Sequence, residues 1–406
     1  MVMPRRGRME AVDRSGSVTT LELFFDLVFV FALTEVTGWM AHGEGAPTGE
    51  NVLRGALIVI VLWWTWVGWA WLCNIVKADE GVVRVGMFLA MAVMFVAALT
   101  IPEAFVDLPG GLYGPAVFAA CYFGVRTIHM GMFWLASRDD PQLRSQLVRF
   151  AVPTAWGTVM LLVASQTEGV TQTVLWIVAL LGDLVGTLVS GDQWRLRAPG
   201  HFAERHGLIV IVALGESIVS IGVGVVDLPV SWPIVAASAL GLAAVGALWW
   251  AYFDVTAMVA ERALAAAEGE EQVRLARGGY SFLHLPMIVG IVMMALGLKK
   301  AMNYIAGHDG HELTDPLYGV SLVALYGGTA LYLAGHIGFK WYLTRQVSVA
   351  RVVTVALLIL LIPVAWFLPA MASLALLAVL LCAMIAVETH RFREVRHAIR
   401  HEEHHG

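Results

Sequence analysis

Residues 21–39 read LELFFDLVFVFALTEVTGW, an apolar stretch that carries three carboxylates, Glu22, Asp26 and Glu35. Its length and composition are typical of a helix that crosses a lipid bilayer. A charged side chain near the bilayer centre costs about 2.5–3.5 kcal/mol on insertion scales. Carboxylates inside such a segment therefore indicate either an ion pair or a function.

The whole chain has the composition of a membrane protein. Of its 406 residues, 59% are hydrophobic and 14% are charged, and the mean hydropathy is +0.74. A soluble domain carries about 25% charged residues, so the composition excludes a soluble globular protein. We count twelve apolar segments of spanning length. The prediction is an all-α polytopic membrane protein with twelve transmembrane helices.

The basic residues orient these helices. With the N-terminus on one side, nearly all lysines and arginines fall on that same side, and only Lys299 and Lys300 lie in loops on the other. Loops rich in lysine and arginine stay in the cytoplasm. We therefore expect both termini in the cytoplasm and membrane lipids as partners.

The two halves of the chain resemble each other. Leu62-Trp63-Trp64 in the second span corresponds to Leu248-Trp249-Trp250 in the eighth, and Tyr113-Gly114 in the fourth span corresponds to Tyr318-Gly319 in the tenth. Six spans per half make the halves run in the same direction, which predicts two parallel six-helix repeats. The expected organisation is a cytoplasmic N-terminal tail (1–18), a first repeat (19–190), a cytoplasmic linker (191–205), a second repeat (206–388) and a cytoplasmic basic, histidine-rich tail (389–406).

The carboxylates of the first span lie on two faces. Glu22 and Asp26 share a face, and Glu35 projects from the opposite one. Capping or snorkelling at the cytoplasmic entrance is sufficient to explain Glu22, whereas Asp26 lies two turns deep. Arg54, near the outer end of the second span, is a candidate to neutralise Glu35.

Arg126 lies inside the fourth span, and His129 follows one turn later on the same face. A buried arginine needs a carboxylate partner in the bilayer. Asp26 and Asp183 lie at a similar depth and are the two candidates, and glycines around Asp183 allow close helix contact. Such a pair either fixes helix packing or opens during transport and relays protons.

Glu216 is the deepest carboxylate, in the middle of the seventh span and one turn from Ser220. Burial favours its neutral, protonated form, which a proton-coupling carboxylate must reach. The alternative is a protonated glutamate that hydrogen-bonds to a neighbouring helix. His284 either joins Glu216 in a polar site or packs as a core histidine. We expect His336, near the cytoplasmic end of its span, to meet water.

Three motifs resemble one bacterial family. Residues 21–32 (LELFFDLVFVFA), 204–207 (ERHG) with 214–217 (LGES), and 284–291 (HLPMIVGI) are similar to signatures of the bacterial low temperature requirement protein A (LtrA) family. The resemblance implies a multi-pass protein of the bacterial cell (plasma or inner) membrane and no mechanism. It marks the following signature positions: Glu22, Asp26, Arg205, Glu216 and His284.

A second likeness concerns residues 25–32. The pattern Phe25-Asp26-x-Val28-Phe29-x-x-Ala32 resembles the start of the first helix in endolysosomal potassium channels, whose animal members have 6+6 spans. In those channels a serine precedes the aspartate, where this chain has Phe25. The likeness implies an ion channel as an alternative function.

The leading hypothesis is a secondary transporter, coupled to protons, for an unknown small solute or ion. Two sets of residues are predicted: candidates for coupling or translocation (Glu216, Asp26, Arg126, Asp183, Glu35 and His284) and candidates for packing (Glu22, Arg205, Arg54, His129 and Ser220). The alternatives are an ion channel related in architecture to 6+6-span potassium channels and an integral membrane enzyme that acts on lipid-linked substrates.

The sequence favours a protein that is not an enzyme and that holds no cofactor or metal. No Walker motif, dinucleotide glycine fingerprint or H-E-x-x-H motif occurs in it. The histidine-rich run 397–404 is better explained as a solvated basic helix than as a metal site. We expect no nucleic-acid partner, and a homo-oligomer is an alternative to a monomer.

Overall fold

A computed structural model gives the fold and describes residues 12, 16–41, 47–189, 194–226, 228–391 and 393. Those residues form helices and connecting loops, without a β-strand. The helices are α1 (Thr20–Ala41), α2 (Gly49–Cys73), α3 (Gly81–Leu99), α4 (Gly114–Ala136), α5 (Pro141–Ala164), α6 (Gly169–Val189), α7 (Pro199–Val223), α8 (Trp232–Phe253), α9 (Thr256–Ala266), α10 (Gly269–Leu275), α11 (His284–Ile305), α12 (Gly319–Thr344), α13 (Val349–Ala365) and α14 (Ala370–Arg391). A π-helical segment, Ala276–Phe282, joins α10 to α11. Most of the predicted N-terminal tail and nearly all of the C-terminal tail beyond α14 lie outside the described residues.

Local sequence sets several helix ends. Asp140 precedes α5, and its Oδ1 accepts a hydrogen bond from the Leu143 amide at 3.1 Å, while Pro141 is the first helical residue. An acceptor before the first turn and a proline at its start both favour helix initiation. Pro363 lies near the end of α13, and Pro369 directly precedes α14.

Eleven helical stretches of the described chain are long and apolar enough to cross a bilayer. Two of these stretches combine neighbouring helices, α8 with α9 and α10 with α11. The apolar helix α13 has 17 residues, which is near the lower limit of a span. The all-α prediction is confirmed for the described residues, and eleven or twelve helices of this kind are consistent with a polytopic membrane protein, whereas the parallel repeat and the cytoplasmic termini stay predictions.

Helix α1 shows the burial pattern that a lipid environment requires. Glu22 and Asp26 are 1% and 2% exposed, whereas the neighbouring Phe24 and Leu27 are 49% and 56% exposed. In a water-soluble protein the distribution is reversed, because charged groups seek water and apolar groups avoid it. Helix α1 therefore turns Glu22 and Asp26 toward protein, while Phe24 and Leu27 face outward.

Glycines let two pairs of helices approach closely. A Cβ atom on Gly186 of α6 would lie 2.0 Å from Cβ of Pro153 on α5. A Cβ atom on Gly290 of α11 would lie 2.5 Å from the backbone nitrogen of Tyr332 on α12. Small residues of this kind allow extended van der Waals contact between membrane helices. The close helix contact predicted around Asp183 is confirmed.

The chain divides into two compact units. Unit 1 comprises Met1–Trp39, Leu53–His206 and Ala267–Arg277, and unit 2 comprises Met40–Val52, Gly207–Ala266 and Gly278–Gly406. Helix α7 begins at Pro199, so the segment predicted as a linker, 191–205, ends inside a helix. A proline is compatible with the first turn of a helix, and α7 therefore begins earlier than the apolar run alone indicates.

Candidate functional site

Helix α1 begins with a reciprocal cap between Thr19 and Glu22. The Thr19 amide and hydroxyl each donate to Glu22 Oε2 at 2.9 Å, and the Glu22 amide lies 3.3 Å from the Thr19 hydroxyl that accepts from it. This is the T-x-x-E capping box. Capping of α1 by Glu22 is thus confirmed, and snorkelling is wrong because the side chain is buried.

Four titratable side chains, Glu22, Asp26, His201 and Arg205, form what we call the charge cluster. All four lie within unit 1 and are at most 2% exposed. His201 Nε2 lies 3.0 Å from Glu22 Oε1, and Arg205 Nη2 lies 3.1 Å from Asp26 Oδ1. Arg205 Nη1 lies 3.8 Å from Glu22 Oε1. Because each pair of residues is spaced i, i+4, α1 presents two carboxylates to one face of α7.

Trp66 of α2 completes the surroundings of Asp26. Its indole Nε1 donates a hydrogen bond to Asp26 Oδ1 at 2.8 Å. The guanidinium carbon of Arg205 lies 5.3 Å from the centre of the Trp66 ring, within the range of a cation–π interaction. Trp66 therefore holds both partners of the Asp26–Arg205 ion pair.

Several polar atoms of the charge cluster form no hydrogen bond with the described residues. They are Glu22 Oε1, Asp26 Oδ2, His201 Nδ1, and Nε and Nη1 of Arg205. A buried polar atom without a partner costs about 1–3 kcal/mol, and more when the group is charged. Such atoms are few in native proteins and are typical of functional positions or of sites for water or an ion.

The formal charges of the cluster do not balance while His201 is neutral. Two carboxylates then face one guanidinium, which leaves one negative charge in excess inside the protein. Uncompensated buried charge is unfavourable. One bound proton, on His201 or on one of the carboxyls, restores neutrality. The charge balance therefore favours a cluster that binds one proton.

Arg126 pairs with Asp183, one of its two predicted partners. Arg126 Nη2 lies 3.3 Å from Asp183 Oδ1 and donates to Thr154 Oγ1 at 2.8 Å. The Tyr122 hydroxyl donates to Asp183 Oδ2 at 3.2 Å. Asp26, the other predicted partner, instead pairs with Arg205. The structure therefore divides the predicted network of Asp26, Arg126 and Asp183 into two ion pairs.

The remaining candidates of unit 1 lie among packing contacts. His129 is buried between Trp69 and Phe133, with ring centroids at 5.7 and 5.1 Å. Arg54 Nε donates to Thr173 Oγ1 at 3.0 Å, and its Nη2 donates to the carbonyl at the start of α6 at 3.1 Å. These bonds anchor Arg54 to α6 and do not support the predicted neutralisation of the half-buried Glu35.

Glu216 and His284, the two deep candidates of unit 2, form hydrogen bonds with different residues. Glu216 is 1% exposed, and its Oε1 accepts from the Ser220 hydroxyl at 3.0 Å. His284 Nδ1 lies 3.2 Å from the Gly279 carbonyl, so this nitrogen carries the proton. The Tyr252 hydroxyl then donates to His284 Nε2 at 2.9 Å.

His336 is fully buried, and the expectation that it meets water is wrong. Its ring contacts Arg351 Nη1, whose guanidinium also donates through Nε and Nη2 to the two carboxylate oxygens of Glu388, each at 2.9 Å. Arg351 Nη2 additionally donates to the Ala251 carbonyl at 3.1 Å. Arg351 of α13 and the aromatic rings of Tyr252 and Phe339 surround His336.

Comparison with known proteins supports the resemblance seen in the motifs. The family model described as bacterial low temperature requirement A protein (LtrA) matches residues 17–386, nearly the whole chain. The chain belongs to the LtrA family. A protein of Rhizobium meliloti (strain 1021), described as uncharacterized protein RA0937, is 28% identical to this LtrA protein over 352 residues, which cover 83% of the chain and 80% of the relative. No solved structure matches the chain.

Glu22, Asp26 and Arg205, which lie in motifs that resemble those of the LtrA family, meet in the charge cluster. Sequence reasoning did not find His201 and Trp66. His201 lies four residues before Arg205, and this spacing puts both side chains on one helix face. It could be recognised only if α7 was known to begin before residue 201. The signal for Trp66 was weak because α2 carries several tryptophans.

Proposed function

We propose that this LtrA protein is a secondary transporter that couples solute movement to a proton held by the charge cluster. The observation that carries the proposal is the excess of carboxylates over arginine in a buried site beside a histidine. A fixed ion pair that only supports packing needs one charge of each sign. A cluster that is neutral with one proton bound can release that proton when the site opens to water, and it is then negatively charged.

Glu216 extends the proposal to unit 2. It is a buried carboxyl with a hydroxyl donor in the same helix, and its protonated form suits this environment. We propose it as a second proton-binding group of the transporter. The charge cluster supports the proposal more strongly than Glu216 does, because its ion-pair partners and its excess of carboxylates follow from named contacts.

Proton coupling is tested in liposomes that contain the full chain and the pH dye pyranine. Inward gradients of sodium, potassium, phosphate, single amino acids and short carboxylic acids are applied one at a time. We expect at least one of them to move protons in a saturable way with the wild type. His201→Gln should abolish that proton movement while the protein still folds and inserts, and Glu216→Gln should do the same.

His311→Gln is the matched control, because His311 is half-exposed and lies in unit 2. It should keep wild-type proton movement. A substrate-independent measurement is the number of protons that the purified protein takes up between alkaline and acidic buffer, which should be smaller by one for His201→Gln than for the wild type. Equal uptake in the wild type and His201→Gln would contradict the proposal, and non-saturating current would favour the ion channel.

A further inference from the structure

A cavity of about 620 Å³ lies at one end of α2 and α4, within unit 1. Its wall includes Ile75 and Val76, which follow α2, and Ala136, the last residue of α4. Arg195 and Arg197 also line it, and both side chains are exposed, so the cavity is open at the protein surface. A polar cavity of this size admits water. Water in it therefore reaches the ends of two helices that carry buried polar groups.

Two of these buried residues, Trp69 and His129, contact each other close to the cavity. Trp69 lies one turn before the end of α2, and His129 lies two turns before the end of α4. Their ring centroids are 5.7 Å apart. A Cβ atom on Gly68 would lie 3.0 Å from Cε1 of His129, so the missing side chain at Gly68 admits the imidazole against α2.

Trp69 and His129 carry buried polar atoms that form no hydrogen bond with the described residues. They are the indole Nε1 of Trp69 and both ring nitrogens of His129, on side chains that are 0% and 2% exposed. The Gly68 carbonyl is close to the imidazole but does not meet the geometry of a hydrogen bond. Buried polar groups of native proteins bond to protein or to ordered water. The three nitrogens therefore indicate water between α2 and α4.

The same pattern continues from Trp69 to the charge cluster. The rings of Trp69 and Phe25 have centroids 5.6 Å apart, and Phe25 directly precedes Asp26 on α1. Trp66, one turn before Trp69, donates to Asp26 Oδ1, whereas Asp26 Oδ2 forms no hydrogen bond in the described chain. A donor on α2 and an acceptor on α1 thus both lack a protein partner, and water between these two helices would satisfy them.

His129 is suited to pass on a proton rather than to keep one. Arg126 lies one turn away on the same helix, and its charge and the burial of the ring both disfavour an imidazolium. A neutral imidazole has one N–H donor and one acceptor nitrogen. The acceptor nitrogen can take a proton from water on one side while the other nitrogen releases its proton to water on the opposite side. The ring stays neutral, and its rotation restores the first arrangement.

We propose that Trp69 and His129 hold a chain of water molecules that carries protons between this cavity and Asp26. The end point of this path rests on the proposed function, since the charge cluster is the group that takes up the proton. The hydrated path itself rests on the buried nitrogens of α2 and α4, and it can be measured separately.

The first test follows the exchange of indole N–H groups with heavy water in the detergent-solubilised full chain, by NMR of isotope-labelled tryptophan. Trp66 is the internal reference, because it lies on the same helix, is equally buried and donates to Asp26. The Trp69 N–H should exchange at least about tenfold faster than the Trp66 N–H, whose bond to a carboxylate must break first. Trp69→Phe and Trp66→Phe assign the two signals.

His129→Leu removes both ring nitrogens and should slow the exchange of the Trp69 N–H about five- to tenfold. Gln172→Leu is the matched control, since it removes from α6 another buried side chain without a hydrogen bond in the described chain. It should leave the exchange unchanged.

The second test separates the relay from hydration. A pH dye follows proton binding after a rapid drop in pH, and the relevant kinetic phase is the one that His201→Gln lacks. His129→Gln keeps a donor and an acceptor for water, so the Trp69 N–H should exchange as in the wild type. A glutamine amide does not pass on a proton, so this phase should slow at least about tenfold while the total uptake stays the same.

Two results would overturn the hydrated path: a Trp69 N–H that exchanges as slowly as the Trp66 N–H, or wild-type exchange in His129→Leu. Wild-type proton binding in His129→Gln would overturn the relay through His129. Equal proton uptake by His201→Gln and the wild type would instead reject the charge cluster as the proton-binding group, and the exchange of the Trp69 N–H would still decide whether the path exists.

Discussion

In unit 1, Arg205 faces two carboxylates, Glu22 and Asp26, whereas in unit 2 Arg351 faces one, Glu388. The Arg351 guanidinium makes a bidentate contact, and its other bonds reach His336 and a backbone carbonyl. Arg205, by contrast, keeps two nitrogen atoms without a hydrogen bond in the described chain.

The difference separates two uses of buried charge. A matched, fully hydrogen-bonded pair is neutral and fixes the packing of its helices. An unmatched cluster becomes neutral by binding a proton, so its charge depends on its access to water. The three predictions below test this comparison through stability, from the largest expected effect to the smallest.

The largest effect is expected for Arg205→Gln. This change leaves Glu22 and Asp26 buried without the guanidinium, and removal of one partner of a buried ion pair costs about 3–5 kcal/mol. The free energy of unfolding should fall by that amount. Arg197→Gln, at an exposed position of the same region, should change it by less than about 0.5 kcal/mol. Equal stability of the two variants would show that Arg205 does not stabilise the buried carboxylates of the charge cluster.

The same type of substitution, glutamate to glutamine, made separately in each unit sharpens the comparison. Glu388→Gln breaks a matched pair and should cost about 2–3 kcal/mol of unfolding free energy, because Arg351 loses its counter-charge. Glu22→Gln removes the charge in excess, and glutamine still serves in a capping box, so its cost should stay below about 1 kcal/mol. A Glu22→Gln variant as unstable as Glu388→Gln would show that both units bury charge in the same way.

A smaller effect than for Arg205→Gln or Glu388→Gln is expected beside the matched Arg126–Asp183 pair of unit 1. Gly186→Ala places a methyl group against Pro153, which pushes α6, the helix that carries Asp183, away from α5. Overpacking of this kind should cost about 1–2 kcal/mol. Gly131→Ala on α4 meets no atom within 4 Å and should cost nothing in a thermal unfolding comparison. A larger loss for Gly131→Ala would contradict the packing seen around Asp183.

The helix content and the buried carboxylates were predictable from the sequence. Long apolar runs predict spans because hydropathy is a property of consecutive residues. Asp26, Arg126 and Asp183 stood out because charge is rare in such runs. The start of α7 was not predictable in the same way, since residues 199–205 begin with Pro-Gly, include three titratable side chains and resemble a cytoplasmic loop. His201 and the depth of Arg205 were missed for that reason.

By itself the sequence determined that this LtrA protein is a helical membrane protein and that its charges must be paired inside it. The free energy of moving a residue into lipid depends on the residue and its immediate neighbours, so local sequence is sufficient for that conclusion. The tertiary structure decided which charges meet. Asp26 and Arg205 are 179 positions apart, and Arg126 and Asp183 are 57 apart. Pairing at such separations depends on how whole helices pack, because the ion pair forms only where two helix faces approach each other.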